Sequence, residues 1–138
     1  MTSTLGGSLE LQILFCALAL GVVQLLLTVL FNLSGRGLPY GVGPRDEPPK
    51  PLGKIAARTE RAWKNFLETF VLFAAAVLLV TALGKHTAHS ALGAQIYIWG
   101  RLIYVPVYML GIPWLRTIAW IASLAGILLV MSAVWPGM

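Results

Sequence analysis

The sequence predicts an all-α integral membrane protein: a single domain over 1–138 in which four helices run up and down across a bilayer. Three observations predict it. Of the 138 residues, 58% are hydrophobic and only 11% charged, whereas an ordinary soluble domain carries about a quarter charged residues. Lipid is therefore the main solvent. Four apolar spans, at about 9–33, 57–84, 91–110 and 113–135, hold roughly the 20 residues a helix needs to cross a hydrocarbon core. The turns after the second and third, "GKHTAHS" and "LGIP", are short, which makes successive helices antiparallel neighbours in an up-down bundle.

The first span is too long for the apolar core of a signal peptide, and no basic residue precedes it. Its one cysteine, Cys16, excludes an internal disulfide and reads as a small apolar filler. Gln24, Thr28 and Asn32 follow at i, i+4 and i+8; Thr28 reads as helix–helix glue, and the other two as pocket edges or glue. A loop at about 34–56 contains "GLPYGVGPRDEPPKPLG", whose prolines and glycines favour turns and extended chain over helix. Seven of the ten Lys and Arg residues lie between the first span and the apolar part of the second. The positive-inside rule places that loop in the cytoplasm and both termini on the opposite side, where its charge can meet lipid headgroups. Base-reading motifs are lacking, so nucleic acid is a poor partner. Between spans two and three, His86 and His89 stand at i, i+3 with no third ligand nearby, which reads as polar loop filler rather than a metal site. Trp63, Trp114 and Trp135 fall near span ends, where amphipathic rings prefer the interface.

The second and third spans carry polar stripes. In "RTERAWKNFLETF", Arg58, Arg61, Asn65 and Glu68 share an arc of about 80°, and Glu68 lies roughly 7–8 Å inside the span. In "YIWGRLIYVPVY", Tyr97, Arg101, Tyr104 and Tyr108 share about 60°, with Arg101 about 13 Å deep. An unpaired charge at that depth costs from a few to more than ten kcal/mol, so Glu68 and Arg101 are expected to pair and the stripes to face each other. A purely structural ion pair accounts for those two residues alone. It leaves over Arg58, Arg61, Asn65, the two tyrosines Tyr104 and Tyr108, and Arg116 just inside the fourth span. Together these suit an anionic ligand whose carboxylates guanidinium groups can grip.

Three segments, "RDEPP", "RAWKNFLETFVLF" and "GRLIYVPVYMLGIPWLR", resemble the MAPEG family, membrane-associated proteins of eicosanoid and glutathione metabolism, and its short bacterial members in particular. The resemblance covers nearly the whole chain and is weakest in the first span. It implies a homotrimer in a bacterial inner membrane, with glutathione as co-substrate held between subunits near the cytoplasmic face, and no metal. It implies glutathione contacts from Arg61, Asn65, Glu68, Tyr104 and Tyr108, with Lys64 where one prostaglandin synthase has a glutathione-binding arginine. Arg101 matches a supporting arginine that pairs with the helix-two glutamate, and Arg116 the proposed catalytic arginine. The chain departs from the family in its Tyr108-to-Arg116 spacing, in Thr69 where a tyrosine stands, and in Tyr104 where one mammalian member has histidine.

The implied chemistry is activation of the glutathione thiol. Only the thiolate is a good nucleophile, and a guanidinium stabilises it. Arg116 fits that role, with Tyr104 or Tyr108 as hydrogen-bond donor, and the electrophile is a hydrophobic molecule or a lipid hydroperoxide. Two other function classes stay open: a non-catalytic lipid-binding or scaffold protein, and a small four-span transporter or channel.

Overall fold

The structure, a computed structural model of the chain, describes residues 7–136. Those residues form five helices and no strand: α1 (Leu9–Arg36), α2 (Leu38–Val42), α3 (Lys54–Leu83), α4 (Ala88–Leu110) and α5 (Pro113–Ser132). The fifth helix corrects the sequence reading, because α2 lies in the loop expected to be free of helix. Gly37, at φ 85°, turns the chain after α1, and Pro39 sits in the first turn of α2, where its missing N–H leaves no bond unmade.

Three boundaries shift outward from the apolar runs. α1 continues through Arg36 and α3 begins at Lys54, because a helix does not end where its residues turn polar. α4 begins three residues early: the Thr87 hydroxyl accepts from the Ser90 N–H while the Ser90 hydroxyl accepts from the Thr87 N–H, satisfying two otherwise orphaned donors. α5 stops at Ser132, short of the expected 135.

Three helices, α1, α3 and α5, are long and apolar enough to cross a membrane. α4 has the length, 23 residues, but Gln95, Arg101 and three tyrosines reduce its apolar character. Large apolar side chains stand outward on the single chain, among them Phe15 at 71%, Val71 at 63% and Ile118 at 62% exposure. That is the inverse of a water-soluble surface.

Successive long helices run antiparallel. α3 packs against α1, α4 and α5, and α4 against α1 and α5, while α1 and α5 do not meet. α4 and α5 approach until backbone touches backbone: a Cβ on Gly93 would lie 2.5 Å from the Gly126 carbonyl oxygen. Small residues permit this approach, which in lipid replaces the missing hydrophobic drive. The core between α1, α3, α4 and α5 holds Ala17, Phe73, Val77, Tyr97, Ile127 and Val130, with the Phe73 and Tyr97 rings stacked at 3.9 Å.

At the Leu9 end of α1, the buried Glu10 carboxylate accepts from the Ser90 hydroxyl and lies 3.3 Å from His86 Nδ1. His86 is therefore no mere loop filler: it closes a polar latch between α1 and the start of α4. His89 stands apart and exposed.

Candidate functional site

The register of α3 against α4 builds the other end. Thr69 meets Tyr97, hydroxyl to hydroxyl at 3.3 Å; Asn65 meets Arg101; Arg61 meets Tyr108. Each step along one helix is a step back along the other, so the two polar stripes do face each other. Glu68 itself lines a cavity in front of Asn65 and makes no salt bridge with Arg101, its contact being with the Asn65 amide.

The expected Glu68–Arg101 ion pair is therefore absent among the described residues, and an amide stands in its place. Arg101 is 0% exposed, and its two terminal nitrogens both donate to Asn65 Oδ1, at 3.0 Å each. Asn65 Nδ2 then donates to Glu68 Oε2 at 3.5 Å. A guanidinium has no acceptor, so it fixes which way the Asn65 amide points. The Arg101 charge also lies 4.3 Å from the Tyr104 ring centroid and 5.8 Å from that of Phe66, contacts worth about 0.5–2 kcal/mol each. Its Nε is buried without a hydrogen-bond partner among the described residues.

In front of this relay opens a cavity of about 410 Å³, lined by Arg61, Lys64, Asn65, Glu68, Tyr104, Tyr108, Arg116, Thr117 and Trp120. Arg61 Nε donates to the Tyr108 hydroxyl oxygen at 3.1 Å, leaving that hydroxyl's own proton free to donate. The Arg116 guanidinium lies 4.9 Å from the Tyr108 ring centroid, within the reach of a cation–π contact. Three cations, Arg61, Lys64 and Arg116, share the cavity wall with one carboxylate, Glu68. Lys64 keeps a surface contact with Glu60 at 3.6 Å, while Glu68 is exposed on the single chain.

Seven sequence-derived residues converge here, and two do not. Arg101 stands behind Asn65, outside the lining. Arg58 points to the α4–α5 turn, where its Nη1 donates to the Met109 carbonyl at 3.4 Å and its guanidinium fills the space beside Gly111. None of the first-span polar residues lines the cavity. Thr28 donates to the Gln24 carbonyl and Asn32 to the Thr28 carbonyl, both at 2.8 Å. Gln24 is buried, and its amide has no hydrogen-bond partner among the described residues. Thr69 bonds to Tyr97 instead of facing the cavity. Thr117 and Trp120 were missed by sequence reasoning; Trp120 stands at i+4 from Arg116, the one pattern that would have found it.

Among the described residues no three His, Cys, Asp or Glu side chains converge as a metal site. The arrangement can hold an anion with more than one acidic group and one ammonium, and it sets a guanidinium beside a donating phenol. No curated protein matches the chain closely enough to count as a relative. The model of the MAPEG family matches residues 13–135, nearly the whole length; that family includes glutathione transferases and peroxidases as well as non-catalytic members. Its three apolar helices fit an integral membrane protein, and with this match the chain belongs to the MAPEG family.

Proposed function

We propose that the chain is a membrane-bound glutathione transferase or glutathione-dependent peroxidase, acting as a homotrimer in a bacterial inner membrane with its basic loop in the cytoplasm. The observation that carries this is a single cavity joining Arg116, Tyr104 and Tyr108 to Arg61, Lys64, Asn65 and Glu68. Glutathione has two carboxylates and one ammonium. Arg61 and Lys64 suit the carboxylates, and Glu68, its orientation supported by the Asn65 amide, suits the ammonium. Glu68 stands exposed on the single chain, as a group shared with a neighbouring subunit would.

The thiol loses its proton to water on binding, and Arg116 holds the resulting thiolate. The Tyr108 hydroxyl, already accepting from Arg61, has its proton available for the sulfur; Tyr104 is the alternative donor. In the transferase reaction the thiolate bonds to an electrophilic carbon and the leaving group departs with the bonding pair. In the peroxidase reaction it takes the outer peroxide oxygen, the O–O bond breaks, and the alkoxide takes a proton from water. A second glutathione then converts the sulfenic acid to the disulfide with release of water.

A lipid-binding role without turnover is the second reading. An apolar cavity of about 450 Å³ lined by Trp99, Ile103, Leu115 and Ile118 favours it, since an acyl chain would fit there. A transporter draws less support, because the apolar core around Phe73, Val77 and Ile127 separates the cavity from the Glu10 latch. Titration calorimetry with glutathione on the purified chain decides first. Binding supports the enzyme reading; no heat at millimolar glutathione removes both transferase and peroxidase, and conversion of an electrophile separates turnover from binding.

A further inference from the structure

Two further cavities adjoin around α2 and the loop that carries "RDEPP", a segment with no part in the cavity beside Arg116. They share Arg36, Gly37, Tyr40 and Arg45. The first, of about 400 Å³, is walled by Val29 and Leu33 of α1 and by Leu38 and Val42 of α2. The second, of about 630 Å³, has Arg45, Asp46, Glu47 and Lys50 on its wall. From Val29 to Arg36 the first runs about 10 Å along the α1 axis, more than the roughly 5–8 Å of one headgroup layer. The pair therefore reaches from acyl level to headgroup level. Leu38 and Val42, at i and i+4 on α2, are 61% and 77% exposed, and such a patch belongs against hydrocarbon.

The charges around these cavities fall into two groups. Arg36 is already committed: it donates to Asn32 Oδ1 at 2.8 Å and to the Lys50 carbonyl at 3.3 Å, and lies 3.7 Å from Glu60. Arg45, Asp46, Glu47 and Lys50 form no ion pair among the described residues. Arg45 Nη2 donates to the Gly41 carbonyl at 3.0 Å, which ties it to α2, although its backbone φ of 58° lies where residues other than glycine are uncommon. Two cations and two carboxylates thus ring one cavity without cancelling each other by contact.

We infer that the two cavities together form a site for one phospholipid, and that its headgroup is zwitterionic with a primary ammonium, as in phosphatidylethanolamine. The phosphate accepts from Arg45 and Lys50, the guanidinium fork matching its oxygens. The ammonium carries three N–H donors and meets the Asp46 and Glu47 carboxylates. An acyl chain lies along Val29 and Leu33, with Tyr40, on the wall of both cavities, at the junction. A purely acidic headgroup brings those two carboxylates no cation. A choline headgroup brings the charge but no N–H, and a soluble zwitterion leaves the apolar wall uncovered. The bound lipid ties the loop and α2 to the bilayer surface. None of this depends on what the cavity beside Arg116 binds.

The test offers the purified full-length chain an equimolar mixture of phosphatidylethanolamine, phosphatidylcholine and phosphatidylglycerol with matched acyl chains, and reads retained lipid by native mass spectrometry. Phosphatidylethanolamine is expected to be retained about two- to fivefold over phosphatidylcholine, the range an exposed ion pair spans, with phosphatidylglycerol below it. In the double variant Asp46→Asn, Glu47→Gln that ratio should fall to about one while phosphatidylcholine is held as before, because only the ammonium N–H contacts are lost. Arg45→Gln should lower both zwitterionic lipids together and keep their ratio, because the phosphate is common to both. Equal retention of the three lipids by the parent, or phosphatidylglycerol retained best, overturns the inference. So does a ratio that survives the double variant. Soluble glycerophosphoethanolamine at the same concentration should leave the bound lipid in place. Its displacing the lipid would overturn the role of the apolar wall, and with it the assignment to a membrane lipid.

Discussion

Arg101 and Asn65 form the joint between α3 and α4: both terminal guanidinium nitrogens converge on one amide oxygen at 3.0 Å. A fully buried cation thus sits beside a neutral partner, with its nearest carboxylate one amide further on. The amide shares the positive field with the cavity in front of it, where an ion pair would have cancelled that field.

Truncating the joint should cost stability as well as binding. Asn65→Ala leaves the Arg101 charge without an acceptor, and hydrogen bonds to charged groups are worth about 1.5–3 kcal/mol each. A clear drop in thermal unfolding midpoint is expected, together with weaker glutathione binding. Asn65→Asp should restore the midpoint, because a carboxylate accepts the same two donors. A midpoint that stays high in Asn65→Ala would show that the aromatic contacts alone hold Arg101.

Glu68 should behave differently, since it is exposed and not ion-paired to Arg101. Glu68→Ala is expected to lower glutathione affinity at least about tenfold, near 1.4 kcal/mol, with an unfolding midpoint close to that of the parent. Arg61→Ala should lose affinity on the same scale, and in addition frees the Tyr108 hydroxyl. Calorimetry alongside thermal unfolding separates the two quantities, and a Glu68 variant that mainly unfolds would restore the direct ion pair.

For Arg116, binding and activation should come apart. Arg116→Ala is expected to keep most glutathione affinity but to lose the ultraviolet band of bound thiolate, near about 240 nm, because the free thiol is mostly protonated at neutral pH. Undiminished absorbance in that variant would move the activating role to Arg61 or Lys64, the other cations on the cavity wall.

Much of this site was legible because helices repeat every 3.6 residues. The stripes on α3 and α4 followed from spacing alone, and one buried arginine required the other stripe to face it. What spacing does not contain is register. Residue 65 rather than 68 meets Arg101 because of how two helices slide along each other, a matter of side-chain packing along their whole length. Trp120 was hidden for a similar reason: on an apolar helix one more aromatic residue carries no signal until a cavity opens beside it. The Glu10–Ser90–His86 latch joins residues far apart in sequence, and α2 breaks composition rules that describe average loops. Arg58 shares the stripe's angle but lies beyond the helix pair, at the α4–α5 turn, where its reach ends on a backbone carbonyl.

The close approach of α4 and α5 yields the last prediction, because it sets how far Arg116 stands from Tyr104 and Tyr108. A Cβ on Gly100 would lie 2.6 Å from the Ser123 hydroxyl oxygen and 3.1 Å from the Ala119 carbonyl, whereas one on Gly93 meets the Gly126 carbonyl at 2.5 Å and the Val130 nitrogen at 2.9 Å. Both Gly100→Ala and Gly93→Ala should therefore destabilise, on the scale of about 1–3 kcal/mol for overpacking, and lower turnover as the helices separate. The difference lies in what can be relieved. The tightest obstacle at Gly100 is a side-chain atom, so adding Ser123→Ala should recover part of the unfolding midpoint. At Gly93 the obstacle includes backbone, and trimming Leu129, whose Cβ lies 2.8 Å away, should recover little. Equal rescue at both positions would mean that α4 and α5 do not touch through their backbones, and that something other than glycine contact sets the spacing of Arg116 and the tyrosines.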